Sequence, residues 1–120
     1  MKVKGLTWLG TRTPRFAQMV DFAEERLGLH ATMREGGMAV FQLEDGSLFE
    51  VFAPGDPGGG HPERGAVAGF HVDDVEAAHD ELELAGVEVS AIESAGTGAW
   101  FYFRAPDGNL YELNGPGAGG

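Results

Sequence analysis

The sequence predicts an α+β fold made of two tandem β-α-β-β-β modules in one domain. Three observations predict it. Two amphipathic helix patterns are each stopped by a glycine, Gly28 and Gly86. Each is followed by short runs of strand-forming residues that contain an Asp-Gly turn, at Asp45-Gly46 and Asp107-Gly108. The order then repeats. Asp45-Gly46-Ser47-Leu48-Phe49-Glu50 matches Asp107-Gly108-Asn109-Leu110-Tyr111-Glu112 at an offset of 62, and Leu27-Gly28-Leu29 matches Ala85-Gly86-Val87 at an offset of 58. A difference of that size is an ordinary loop insertion between two copies of one unit.

The first module spans residues 1–53. Residues 3–11 are rich in β-branched and aromatic side chains and predict a strand. Thr13 is placed to cap a helix and Pro14 to be its first residue. Phe16, Met19, Val20, Ala23 and Leu27 recur at helical spacing and form one apolar face. Asp21, Glu24, Glu25 and Arg26 take the wet side, and Gly28 ends the helix at the position where a left-handed residue is needed. Strands are predicted at residues 32–35, 38–43 and 48–53. Residues 54–65 have no periodicity and are dense in Pro and Gly, so they predict a linker.

The second module spans residues 66–114. Residues 66–72 predict a strand. Asp74 can cap a helix whose apolar face is Val75, Ala78, Leu82 and Ala85. Strands follow at residues 87–92, 99–104 and 110–113, with Pro106-Asp107-Gly108-Asn109 as the turn. Residues 115–120 predict a flexible Gly-rich tail.

Composition narrows the function. The chain has 120 residues, 42% of them hydrophobic, which suits one globular domain over residues 1–114. It has no cysteine, which removes disulfides, zinc–thiolate sites, iron–sulfur clusters and thiol nucleophiles. Nineteen acids against eight bases give a net charge of −11, which repels phosphate backbones and argues against nucleic-acid binding. No apolar run approaches membrane-spanning length, and Met1-Lys2-Val3-Lys4-Gly5 lacks the layout of a signal peptide, so a cytoplasmic protein is expected. There is no Ser-His-Asp order, phosphate loop or dinucleotide fingerprint.

The repeat and its motifs resemble the vicinal oxygen chelate superfamily, which includes glyoxalase I, extradiol dioxygenases and bleomycin-resistance proteins. The carriers are Phe22…Leu27-Gly28-Leu29, Gly69-Phe70-His71-Val72-Asp73-Asp74-Val75, and Phe101-Tyr102-Phe103-Arg104-Ala105-Pro106-Asp107-Gly108-Asn109-Leu110-Tyr111-Glu112-Leu113. Members often have Asp where this chain has Ala105. The resemblance covers residues 3–114. It implies a curled mixed sheet around a cavity, helices outside, and a homodimer whose cavities combine Glu50 of one module with Glu112 of another.

Strand parity then assigns sides. Phe70, Val72, Phe101 and Phe103 should pack under the helix, with Tyr111, Leu113, Phe49 and Val51 opposite the acids. Val67, Gly69, His71, Trp100, Tyr102, Leu110 and Glu112 should face the cavity, as should Leu48 and Glu50. Metal-dependent members place a ligand on the first strand of each half, usually His, and a Glu on the last. Glu50 and Glu112 fill the Glu positions. Trp8 and Val67 stand where the other two belong, and neither has a lone pair for a metal. His71 lies four residues beyond Val67, up to about 14 Å along a strand, and does not replace it. Two carboxylates suit a hard cation such as Mg²⁺ better than zinc, nickel or iron.

No cofactor is therefore favoured, and a divalent metal held by Glu50 and Glu112 is the alternative. The expected function is metal-independent binding of a small molecule, cationic or aromatic, in an acidic aromatic-lined cavity. The ligand-binding candidates are Trp8, Glu50, His71, Trp100, Tyr102, Arg104 and Glu112. The competing reading is a metal-dependent lyase, isomerase or dioxygenase-type enzyme with a remodelled site, for which His71, Glu112 and Tyr102 are the catalytic candidates. His79 is expected to pack beside its helix. His30 and His61 carry no assignment, and Arg12 and Arg104 are placed at strand ends.

Overall fold

The computed structural model describes residues 1–57 and 65–117. Its elements are β1 (Gly5–Arg12), α1 (Phe16–Glu25), β2 (Ala31–Glu35), β3 (Met38–Gln42), β4 (Leu48–Phe52), β5 (Gly65–His71), α2 (Val75–Leu84), β6 (Glu93–Ala95), β7 (Gly98–Arg104) and β8 (Leu110–Pro116). The fold is α+β. Contacts divide the chain into one unit of Thr7–Val67 and another of Met1–Leu6 with the chain from Ala68 on.

In the Thr7–Val67 unit the strand order is β2-β3-β4-β1, with β1 and β4 parallel and the other pairs antiparallel. Helix α1 sets Val20 and Ala23 against Ala39, Phe41 and Val51, all fully buried. Burying a Val or Phe side chain stabilises by about 1.5–3 kcal/mol, so this stripe holds the helix down. Leu27, expected on the same stripe, is exposed. The helix has already ended there: Leu29 N–H bonds back to Ala23 O at 3.0 Å, and Gly28 takes φ 71° to allow it.

The helix begins later than its sequence suggests. Thr13 does not cap it: Thr13 N–H still continues the pairing to Phe52 O at the end of β4, and the first helical residue is Phe16. A turn follows, in which Thr13 Oγ1 accepts from Arg15 N–H at 3.1 Å, and Arg15 is the N-cap without a side-chain bond.

In the other unit the order is β5-β8-β7-β6, with β5 and β8 parallel. Helix α2 buries Val75 and Ala78 among Val72, Ala99, Phe101 and Leu113. Asp74 caps it as expected, its carboxylate accepting from Ala77 N–H at 3.0 Å. The N-terminus belongs to this unit: Lys4 N–H bonds His71 O at 2.9 Å, and the Met1 ammonium meets Glu81.

Two strand expectations shift. Residues 87–92 do not form the predicted strand. Val89 makes one isolated bridge to Phe103, and Ser90 N–H still donates to Tyr102 O at 2.8 Å, but the Tyr102 amide donates to Ser90 Oγ at 2.8 Å. The ladder resumes one residue out of register at Glu93 with Trp100. Two residues of the predicted tail, Gly115 and Pro116, instead extend β8 beside Ala99 and Gly98. Most of the predicted linker, together with His61 and the end of the tail, lies outside the described residues.

Candidate functional site

Residues paired across strands share a face of the sheet. In the unit containing α2, this rule builds two adjacent rows on the face away from the helix. One row is Gly69, Glu112 and Tyr102; the next is His71, Asn114 and Trp100. Phe70, Leu113, Phe101 and Phe103 take the opposite face and pack with α2, as parity predicts. His71, Trp100, Tyr102 and Glu112 are therefore brought together on one face.

Glu112 is 8% exposed, unusually low for a carboxylate. Asn114 Nδ2 donates to its Oε1 at 2.7 Å, which gives this buried oxygen a hydrogen-bond partner. His71 is directly paired with Asn114, so the imidazole stands one row from the acid. Arg104 is at the end of this face but is engaged elsewhere. Its Nε donates to Glu88 at 3.1 Å and its Nη1 to Gly108 O at 2.8 Å, a brace on the β7–β8 turn.

In the Thr7–Val67 unit the corresponding face carries Trp8, Leu48, Glu50 and Phe52. Glu50 is half-buried and flanked in register by Gly10 on β1 and Val40 on β3. Trp8 and Val67 are 7% and 1% exposed and pack in one apolar cluster with Phe52, Met38 and Leu48. Arg12 is buried, donates through Nη1 to Ala53 O and Asp56 O at 2.8 Å each, and lies 5.4 Å from the Phe52 ring centre. It pins the chain after β4.

The same geometry tests the metal that the family resemblance implies. Directly beside the two acids stand Gly10 and Gly69; two residues earlier on the same strands stand Trp8 and Val67. None of these side chains has an atom that can ligate a transition ion. At these positions the residues present do not fit the imidazole-plus-carboxylate centre that the resemblance implies.

Sequence reasoning missed three features. Gly10 and Gly69 as the neighbours of the acids were hidden because parity names a face, not a partner. Asn114 lies two residues past Glu112 on the same face, a signal that was available. On α2, His79, Asp80 and Glu83 each bring one ligand atom within 4.8 Å of the others. A His and a Glu four apart on a helix give that signal. His79 is otherwise a packing residue, as expected: its Nε2 meets Ser90 O at 2.9 Å and its ring stands edge-on to Phe101.

The glyoxalase/bleomycin resistance protein/dioxygenase superfamily model matches residues 5–113. No curated protein matches the sequence. Among solved structures, methylmalonyl-CoA epimerase from Mycobacterium tuberculosis is similar at 18% identity and TM-score 0.72, over 96% of this chain and 89% of that one. The Mn(II)-bound glyoxalase from Novosphingobium aromaticivorans is similar at 20% identity and TM-score 0.74, over 95% and 39%. The 2,3-dioxygenase LapB from Pseudomonas sp. KL28 is similar at 25% identity and TM-score 0.74, over 95% and 41%. The chain thus spans about two fifths of the last two. Among the described residues no helix is long and apolar enough to cross a membrane.

Proposed function

We propose a function from one premise: the chain belongs to the glyoxalase/bleomycin resistance protein/dioxygenase superfamily. Within it, the protein is a small-molecule-binding member that holds its ligand without a transition metal. One observation carries this reading. The first-strand positions that metal-dependent members use for ligands hold Trp8 and Val67, both packed in an apolar cluster, and the neighbours of the two acids are glycines.

The ligand class follows from what remains. Glu112 and Asn114 offer a carboxylate and an amide beside Trp100, Tyr102 and His71, so this face suits a cationic or aromatic small molecule. Arg104 is the proposed rim contact of this face, and Trp8 and Glu50 are proposed as ligand contacts on the corresponding face of the Thr7–Val67 unit. We read the two units as tandem copies of one module, 1–53 and 66–114. The protein is proposed to work in the cytoplasm as a homodimer, since Leu6, Leu9, Phe22, Leu27 and Leu84 leave large apolar side chains exposed.

The competing reading is a metal-dependent lyase, isomerase or dioxygenase-type enzyme, favoured by the Mn(II)-bound glyoxalase among the similar structures. It would need Glu50 and Glu112 as ligands and His71, Glu112 or Tyr102 for proton transfer. Two measurements decide. Elemental analysis of protein purified without chelator is expected to find transition metal far below one per chain. Calorimetric titration with a panel of aromatic and cationic compounds is expected to give saturable heat that EDTA does not abolish. Stoichiometric manganese, iron, nickel or zinc, or uniform absence of heat, would overturn the proposal.

A further inference from the structure

The helix-side face of the unit containing α2 carries a second feature, separate from the face described above. Phe70, Phe103 and Tyr111 form a run of rings: Phe70 and Tyr111 are 6.0 Å apart at 26°, and Phe103 and Tyr111 are 5.8 Å apart at 23°. They border an open groove of about 470 Å³ with Ala105, Pro106 and Asp107. That volume is within the range of small-molecule sites, and the lining is apolar except at Asp107.

The groove's polar end is ordered. Asp107 Oδ2 accepts from Tyr111 OH at 2.6 Å, and its Oδ1 accepts from Asn109 N–H at 3.0 Å. These bonds favour the carboxylate form, holding Asp107 below the ordinary aspartate value of 3.8. A fixed negative charge therefore stands beside three half-buried ring faces.

The other unit shows that this is not a by-product of the repeat. At the offset of 62, Phe103 and Tyr111 correspond to Phe41 and Phe49, which also stack, at 6.1 Å. Phe41 is fully buried, however, Ala105 corresponds to the larger Leu43, and Phe49 has no hydroxyl to hold Asp45. The strand partner that supplies Phe70 in one unit supplies Thr11 at the equivalent place in the other. An open groove with an anchored carboxylate is assembled from substitutions in one copy.

We propose that this groove binds a flat organic cation, an N-alkylated heteroaromatic ring. The ring stacks on Phe103, Tyr111 and Phe70, while the positive charge is attracted by the ring faces and by Asp107. A net charge of −11 concentrates such a ligand near the surface. The inference does not rest on the proposed function above, because its residues lie on the opposite sheet face.

The test is amide NMR of the full chain with three probes of like shape: 1-methylquinolinium, quinoline and 2-naphthoate. The cation is expected to shift the amides of residue 70 and residues 103–111 saturably, quinoline to bind about tenfold more weakly, and 2-naphthoate not to bind. Asp107→Asn, which keeps an Asx-type turn, is expected to abolish the preference for the cation over quinoline. Tyr111→Phe frees Asp107 and is expected to weaken that preference. The proposal fails if no groove amide moves at millimolar probe, if 2-naphthoate binds as well, or if Asp107→Asn retains the preference. Shifts confined to residues 100, 102, 112 and 114 would also sink it, while supporting ligand binding on the other face. If the groove amides move instead with protein concentration alone, a second copy covers the groove and the proposal is wrong.

Discussion

Gly115 shows how much one hydrogen atom matters in this fold. A Cβ at this position would collide with the main-chain carbonyl oxygen of Val72, which cannot swing away as a side-chain tip can. Gly115→Ala is therefore expected to destabilise by about 1–3 kcal/mol, the usual cost of forcing extra volume into a packed place. Urea denaturation would measure it, and an unchanged midpoint would refute the close approach. The two Asx turns make a second prediction at this scale. Ser47 hydroxyl and amide groups, and Tyr111 OH with Asn109 amide, hold Asp45 and Asp107 below the ordinary value of 3.8. Because the folded values are depressed, the turns' contribution is present above 3.8 and is lost as pH falls through the folded values. Tyr111 moves the other way: its bond to Asp107 raises the phenol above 10.0, so that contribution is present below 10.0 and lost as pH rises through the folded value. Carboxyl and phenol titrations by NMR are expected to show all three directions, with Asp107→Asn returning Tyr111 towards its ordinary value.

At the scale of elements, α2 is the most self-explanatory part of the chain. Asp74 both looks like a cap and is one, so Asp74→Ala is expected to cost about 1 kcal/mol of stability by thermal unfolding, with Asp74→Asn costing less. The contrast with Thr13 is instructive, since the same residue logic fails there. Thr13 N–H still continues the pairing to Phe52 O, a long-range bond that no local pattern reveals. Helix faces were legible because burial repeats every three or four residues. Val20, Ala23, Val75 and Ala78 lie where the periodicity puts them. Residues 87–92 were not legible as irregular, because the interruption comes from one serine hydroxyl competing for the Tyr102 amide. Strand β8 outran its prediction because Gly115 and Pro116 read as tail composition yet are paired with β7.

At the scale of the whole molecule, composition and parity together made half of the candidate site readable. Alternation along β7 and β8 placed Trp100, Tyr102 and Glu112 on one face, and the pairing of those strands confirms that they share it. The register that sets glycines beside both acids could not be read, because strand pairing depends on loop lengths and bulges rather than on either strand alone. Net charge acts on every part of this surface at once. At −11, the chain attracts a cation over roughly a Debye length, about 30 Å at 0.01 M salt and about 8 Å at 0.15 M. If a cationic aromatic ligand binds as proposed, its affinity is expected to fall several-fold across that range, while a neutral compound of the same shape is unaffected. The same screening relieves self-repulsion, so the melting temperature of the ligand-free protein is expected to rise over the same salt series. Calorimetric titrations and thermal melts at matched salt concentrations would check both. Equal salt slopes for charged and neutral ligands would show that ring stacking alone, and not the acidic surface, governs recognition.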